Sequence, residues 1–290
     1  MNILSISSSV VCGHVGNAAA VFPLQLLGAE VWPISTVRFS NHPGHGAFTG
    51  AVTEPAEVRA LIDGIAAHGA LGACDAVLSG YLGTAGAGAA ALHAVALART
   101  ARPAALYCCD PVLGDEGPGV YVRAEVAEFL RAQAVPAADI VTPNRFELEQ
   151  LTGAGTATLA PTLAAAKVQA QGLAARLRPG GPQTVLLTSL RTEATPADAT
   201  DLLATEAGRC FLLRLPLLPI AVNGAGDALA ALFLFHRLAL GEAGAALAAA
   251  GAALHGVLRH TLAQGGRELA LVAARQEIVA PSRWFPVEAV

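Results

Sequence analysis

Runs of strand-forming residues alternate with helical patterns along the whole chain, and that alternation leaves few architectures open. Strands are expected at residues 2–7, 31–36, 75–78, 104–109, 139–141 and 184–188. Helices fall between and after them, at 16–27 (ending at Gly28), 55–68 (opened by a proline), 86–100, 124–133, 146–152 and 159–177. Residues 201–204 and 210–215 read as a hairpin, and two long helices follow at 227–240 and 243–262. Such a pattern predicts an α/β fold with a mostly parallel sheet covered on both faces. Covering both faces takes many apolar residues, and the chain has them: 54% are hydrophobic and only 14% charged, against about 25% charged in ordinary globular proteins.

A length of 290 residues, at about 150 per domain, would suggest two domains. No proline- or charge-rich linker interrupts the alternation, so one domain over 1–290 is expected. The run Gly83-Thr84-Ala85-Gly86-Ala87-Gly88 is read as a strand-to-helix turn rather than a disordered tract. The mean hydropathy of +0.52 raises the question of a membrane protein. Residues 228–235 are stopped by His236 and Arg237, and 243–258 are mostly alanine and glycine around His255. Neither stretch supplies the roughly eighteen strongly apolar residues of a spanning helix. The N-terminus lacks the basic start of a signal peptide and reads as the first core strand.

Net charge is −4, from 18 basic and 22 acidic residues without a basic cluster, so nucleic acid and anionic membrane are poor partners. Five cysteines in no metal-ligand spacing fit a reducing cytoplasm. Cys108 and Cys109, adjacent on one strand, are expected to face opposite ways. His42 and His45 resemble a metal pair but have no third ligand nearby, and zinc is rejected. Trp284-Phe285-Pro286 is expected to pack onto the body as an apolar anchor.

Four segments can carry chemistry. In Asn223-Gly224-Ala225-Gly226-Asp227 the glycines precede a long apolar helix, where backbone N–H groups and the helix dipole favour an anion. No Lys-Ser or Lys-Thr follows, so this is not a Walker A loop. Asp227 is either a helix cap or a base beside an anion hole, taking a proton from an alcohol. Asp110-Pro111-Val112, with Asp115 nearby, ends a strand where α/β sheets bind ligands. These two carboxylates suit either turn chemistry or Mg²⁺ held through water. In Thr142-Pro143-Asn144-x-x-Glu147 the acid either complements a helix dipole or faces the same metal and phosphates. Ser7-Ser8-Ser9 closes the first strand, where hydroxyls either satisfy a turn or bind a small polar ligand.

Together these segments resemble the signatures of the pyridoxal kinase family. The match begins with Ile3-Leu4-Ser5-Ile6-x-Ser8, Gly13-His14-x-Gly16-Asn17 and Val37-x-Phe39-Ser40-Asn41-His42. It continues through Val77-Leu78-Ser79-Gly80-Tyr81, Cys109-Asp110-Pro111-Val112-Leu113-Gly114-Asp115, Thr142-Pro143-Asn144-x-x-Glu147 and Gly224-x-Gly226-Asp227. It spans nearly the whole chain in order. The resemblance implies a three-layer α/β/α ribokinase-like fold without a separate lid domain, acting as a homodimer. It also implies ATP- and Mg²⁺-dependent phosphorylation of the 5′-hydroxymethyl group of pyridoxal in vitamin B6 salvage. By the same resemblance Asp227 is the base, and Gly224, Ala225 and Gly226 line the anion hole. Asp110, Asp115 and Glu147 surround the metal and phosphates, with Thr142 and Thr188 near the phosphates or a monovalent cation. Arg214, Leu215, Pro216 and Leu217 run along the nucleotide, while Ser8, Pro43, Gly44 and Tyr81 border the substrate.

Three departures lie on the substrate side. The family usually has Thr where Pro43 stands, and Gln and His where Ser7 and Ser9 flank Ser8. Kinase chemistry is therefore better supported than the identity of the acceptor. A hydroxymethylpyrimidine kinase of the same fold is the nearest alternative, although such enzymes often carry Cys in place of Asp227. A sugar kinase would need a lid sheet for which residues 32–49 leave little room. A non-catalytic carrier of pyridoxal phosphate would need neither the base nor the acidic residues.

Overall fold

Each central strand has apolar residues on both sides, and the strand pleat sorts them into two cores. The computed structural model describes residues 1–153 and 162–290. The chain begins with β1 (Asn2–Val10), α1 (Asn17–Leu26), β2 (Glu30–Phe39), β3 (Gly50–Val52), α2 (Pro55–Ala67), β4 (Ala76–Ser79), α3 (Ala85–Ala101) and β5 (Leu106–Cys109). A small hairpin, β6 (Gly114–Asp115) and β7 (Gly119–Val120), leads to α4 (Ala124–Phe129), a π-helical turn (Leu130–Ala134) and α5 (Val135–Ala137). Next come β8 (Ile140–Val141), α6 (Arg145–Thr152), α7 (Leu163–Ala174), β9 (Thr184–Leu190), β10 (Ala199–Glu206) and β11 (Arg209–Pro216). The chain closes with α8 (Ala225–Leu240), α9 (Ala243–Ala263), α10 (Arg275–Val279) and β12 (Val287–Ala289).

Ten strands form one sheet in the order β12-β11-β10-β9-β8-β5-β4-β1-β2-β3. The strands from β2 to β9 in that order are parallel, because helices carry the chain back between them. The edges are antiparallel. The β10–β11 pair is the expected hairpin, closed by Ala207 and Gly208, both at positive φ (51° and 78°). Ile3, Cys108, Ile140 and Leu186 pack in one core with α1, α8 and α9. Leu4, Ile6, Cys109, Val141 and Val185 pack in the other, with α2, α3 and α7. Cys108 and Cys109 thus face opposite layers, as strand alternation requires. Among the described residues, no helix is long and apolar enough to cross a membrane.

Several boundaries differ from the sequence reading. β1 continues to Val10, three residues beyond the expected 2–7, so Ser8 and Ser9 lie within the strand as Ser7 does; pairing with β2 resumes beyond an irregularity, at Ser9 with Arg38. The helix expected over 124–133 is broken by the π-helical turn. α8 starts two residues before Asp227. The start of the helix expected over 159–177 lies outside the described residues, and α7 ends at Ala174. Phe285 does anchor the C-terminal segment, with its ring 4.8 Å from that of His255, but Trp284 is 59% exposed. The Gly83–Gly88 run does mark a turn: Thr84 caps α3 by accepting from the Ala87 N–H.

Strand order reverses at β1, with β2 on one side and β4 on the other, and one buried side chain holds that junction. Asn17, at the start of α1, donates to the carbonyls of Ser7 (3.1 Å) and Ile34 (3.0 Å) and accepts from Ser5 Oγ at 2.7 Å. Asn17→Ala removes all three bonds from a buried site, and we expect a loss of about 3 kcal/mol, read as an earlier midpoint in urea unfolding. A shift smaller than that of an exposed control such as Arg59→Ala would show that β1 and β2 do not depend on it.

Candidate active site

Ligands of open α/β sheets bind beyond the carboxyl ends of the strands, where the order reverses. A cleft lies at that point here, lined by Ser5, Ser7, Gly16, Gly80, Asp110 and Asp227 among others. Gly80 keeps it open, since a Cβ there would lie 2.5 Å from Ser7 Oγ and 3.5 Å from Asp227 Oδ1. Ser7 Oγ is buried and has no hydrogen-bond partner among the described residues. Ser8, the serine singled out from sequence, is half-buried and not among the residues lining this cleft; its hydroxyl and carbonyl lie where a Cβ on Gly16 would be. Ser7 shares the face of Ser5 by strand alternation, a signal already present in the expected strand 2–7.

Gly224 sits at the start of α8 with φ +84°, and a Cβ there would run into the His14 carbonyl oxygen. Only glycine combines that backbone with that approach. The first-turn amides of α8, including those of Ala225 and Gly226, are free of intrahelical partners and give this end a positive potential. Asp227 stands within that turn, and α8 has no side-chain cap, so the carboxylate is not its N-cap. Desolvation raises its pKa from the ordinary carboxylate value, against hydrogen bonds from the Gly16 amide and its own.

An acidic cluster borders the cleft. Asp110 follows β5 and accepts from Thr142 Oγ1 at 2.8 Å. Its pKa is pushed up by burial and then by the charge of Asp227, with Asp115 adding to both. Asp115, on β6, accepts from Asn144 Nδ2 at 2.9 Å, and burial raises its pKa too. Glu147 is buried in the first turn of α6, where its two oxygens accept from the amides of Leu113 (2.9 Å) and Asn144 (2.8 Å). Burial, followed by repulsion from Asp110, raises its pKa well above the usual range. Asn144 completes a capping box by accepting from the Glu147 amide at 2.8 Å. Thr188 reaches the same edge at the end of β9, where its amide donates to the Pro143 carbonyl. The second oxygens of Asp110 and Asp115 have no protein donor among the described residues.

The remaining sequence-derived positions divide. Pro43 and Gly44 lie in a single 3₁₀ turn (Pro43–His45) that reaches the start of α8 through Asn223. Tyr81 is half-buried beside Gly80, its carbonyl accepting from Thr36 Oγ1 at 2.6 Å. Leu215, Pro216 and Leu217 lie at the same edge of the sheet, but at β11, two strands beyond β9. Arg214 spends its guanidinium on buried Asp201, with bonds of 2.8 and 3.0 Å. Nothing in the spacing of the two residues announces that pair; it follows from their opposite placement on β10 and β11.

The chain matches the family described as phosphomethylpyrimidine kinase over residues 48–271. It is 55% identical to the pyridoxal kinase PdxY of Granulibacter bethesdensis, over 98% of each chain. Identity to the pyridoxal kinase PdxY of Deinococcus radiodurans is 53%, over 100% of this chain and 96% of that one. Pyridoxal kinase from Leishmania donovani, solved in complex with ADP and pyridoxamine, superposes with a TM-score of 0.88 at 30% identity, over 100% of this chain and 99% of that one. The same ribokinase-like α/β/α fold is therefore present here.

A carboxylate whose folded pKa is raised favours folding where it holds its proton, and that advantage is lost as pH rises from its unfolded value through the folded one. Asp110→Asn cannot ionise, so it escapes this loss. We expect the ligand-free variant to melt at least about 2 °C above wild type near pH 8, with the gap closing towards about pH 4. A lower melting temperature at both pH values would mean that Asp110 is a structural anchor.

Proposed function

This chain belongs to the pyridoxal kinase family, and we propose that it transfers the terminal phosphoryl group of ATP to the 5′-hydroxymethyl group of pyridoxal or a related vitamer. The product is pyridoxal 5′-phosphate, as in vitamin B6 salvage. The observation that carries this reading is the placement of Asp227 inside the amide-rich first turn of α8, on a cleft that also contains Asp110. Phosphoryl transfer asks mainly for positioning and charge neutralisation, and the attacking alcohol needs one local base.

In this reading Asp227 takes the proton from the hydroxymethyl group. The amides of the Gly224-Ala225-Gly226 turn hold the transferred phosphoryl oxygens. Ser8, Pro43, Gly44 and Tyr81 border the vitamer ring, and Ser7 adds a free hydroxyl on the same cleft. Thr142, Glu147 and Thr188 border the nucleotide phosphates or a monovalent cation, and Leu215, Pro216 and Leu217 run along the nucleotide. Magnesium, when bound, would neutralise the phosphates. Asp110 and Asp115 fit it as holders, because each keeps one oxygen without a protein donor and both are destabilised as anions. Among the described residues, no three His, Cys, Asp or Glu side chains are grouped to hold an ion alone, so water and phosphate would complete the shell. Glu147 would act there through its charge, since the Leu113 and Asn144 amides occupy its oxygens. One domain, a homodimer and a cytoplasmic setting complete the proposal; five free thiols support the last.

The first test is ADP release with Mg²⁺-ATP across pyridoxal, pyridoxine, pyridoxamine, hydroxymethylpyrimidine and ribose. Selective turnover of the B6 vitamers is expected. Turnover of the pyrimidine alone would favour a hydroxymethylpyrimidine kinase of the same fold. Asp227→Asn should lower kcat by about a hundredfold to ten-thousandfold while leaving ATP affinity within about twofold. Near-normal turnover would remove Asp227 from the role of base. The base must be ionised, so a raised Asp227 pKa places the loss of kcat/KM on acidification above the usual carboxylate range. A rate unchanged down to about pH 4 would contradict it.

A further inference from the structure

A carboxylate outside the acidic cluster reaches the site from far along the chain. Glu268 lies in the loop after α9, and its neighbours fix that loop in place. Leu269 and Leu271 are buried in the core beneath α8 and α9. The Ala270 amide donates to buried Thr261 Oγ1 at 2.9 Å. Thus anchored, Glu268 reaches two loops at once. Its Oε2 accepts from the His14 amide at 3.1 Å, and its Oε1 lies 3.1 Å from His45 Nδ1. Gly13 leaves room for the carboxylate, since a Cβ there would lie 2.7 Å from Oε2.

The two loops meet the start of α8. The other ring nitrogen of His45, Nε2, lies within hydrogen-bond distance of Asn223 Nδ2, at 3.3 Å. The His14 carbonyl lies against Gly224. His14 belongs to the segment between β1 and Gly16, and His45 to the turn of Pro43 and Gly44. Glu268 therefore ties together the substrate-side segments and the turn that carries Asp227.

We propose that Glu268, acting through His45, is the positioning residue that sets the vitamer half of the site. This rests on the kinase reading above and deepens it, because Glu268 touches neither the acidic cluster nor the nucleotide edge. Its loss should loosen the Pro43–His45 turn and leave nucleotide binding alone. A geometric slackening of about an ångström at such a distance costs up to about a hundredfold in kcat/KM.

The experiment measures wild type, Glu268→Ala, Glu268→Gln, His45→Ala and the Glu268→Ala/His45→Ala double variant in steady-state kinetics, with amide hydrogen exchange on the same proteins. Glu268→Ala is expected to raise KM for pyridoxal by about tenfold, with KM for ATP within about twofold. Amides of residues 42–46 should exchange faster. His45→Ala should reproduce both effects, and the double variant should be no worse than the stronger single, as for residues acting in one chain of contacts. Glu268→Gln keeps one acceptor oxygen and should fall between. An unchanged KM for pyridoxal, equal rises for both substrates, or effects that multiply in the double variant would each overturn the proposal. A wild type silent with pyridoxal would instead overturn the kinase reading; the exchange of residues 42–46 in Glu268→Ala would still decide whether the clamp exists, and unchanged exchange would overturn it too.

Discussion

Four carboxylates, Asp110, Asp115, Glu147 and Asp227, are gathered beyond the carboxyl ends of strands whose faces are buried on both sides. Among the described residues, no arginine or lysine forms an ion pair with them. Burial is the first cause of the raised pKa of each. This arrangement opposes folding and has one physical compensation, the arrival of positive charge or of a proton.

The contrast within the molecule is direct. Asp139 is fully buried too, yet Arg99, Arg178 and the Tyr107 amide all donate to it at 2.7–2.8 Å. Asp201 is held by Arg214 and Thr195, and Glu206 by Arg237 and Thr184. Each of these acids is met by at least one guanidinium group, whereas those at the cleft have hydrogen-bond donors but no basic side chain among the described residues. Buried charge is tolerated when it is fully hydrogen-bonded and becomes a site when it is not.

Glycine plays the complementary part. At Gly224 and Gly80 the missing side chains let a helix start, two strands and a loop approach until backbone amides and carboxylates share one cleft. The same economy of volume puts Glu268 against Gly13. This edge of the sheet is thus assembled from close backbone approaches.

The alternation of strands and helices, and with it the covered parallel sheet, was legible in the sequence because apolar periodicity is local and repeats many times. So were Asp110, Asp115, Glu147 and the Gly224-Ala225-Gly226-Asp227 turn, since each lies next to a strand end or helix start that its own neighbours specify. The family resemblance then joined these local signals into one arrangement. The tertiary structure alone decided that Ser7 and not Ser8 lines the cleft, because it fixed which face of β1 meets α8 and Gly80. It alone paired Arg214 with Asp201 and brought Glu268 to His14 and His45, 254 residues from the former. Sequence spacing carries the periodicity of one element; which elements become neighbours depends on how the two cores close around the sheet, and contacts between distant loops exist only after that has happened.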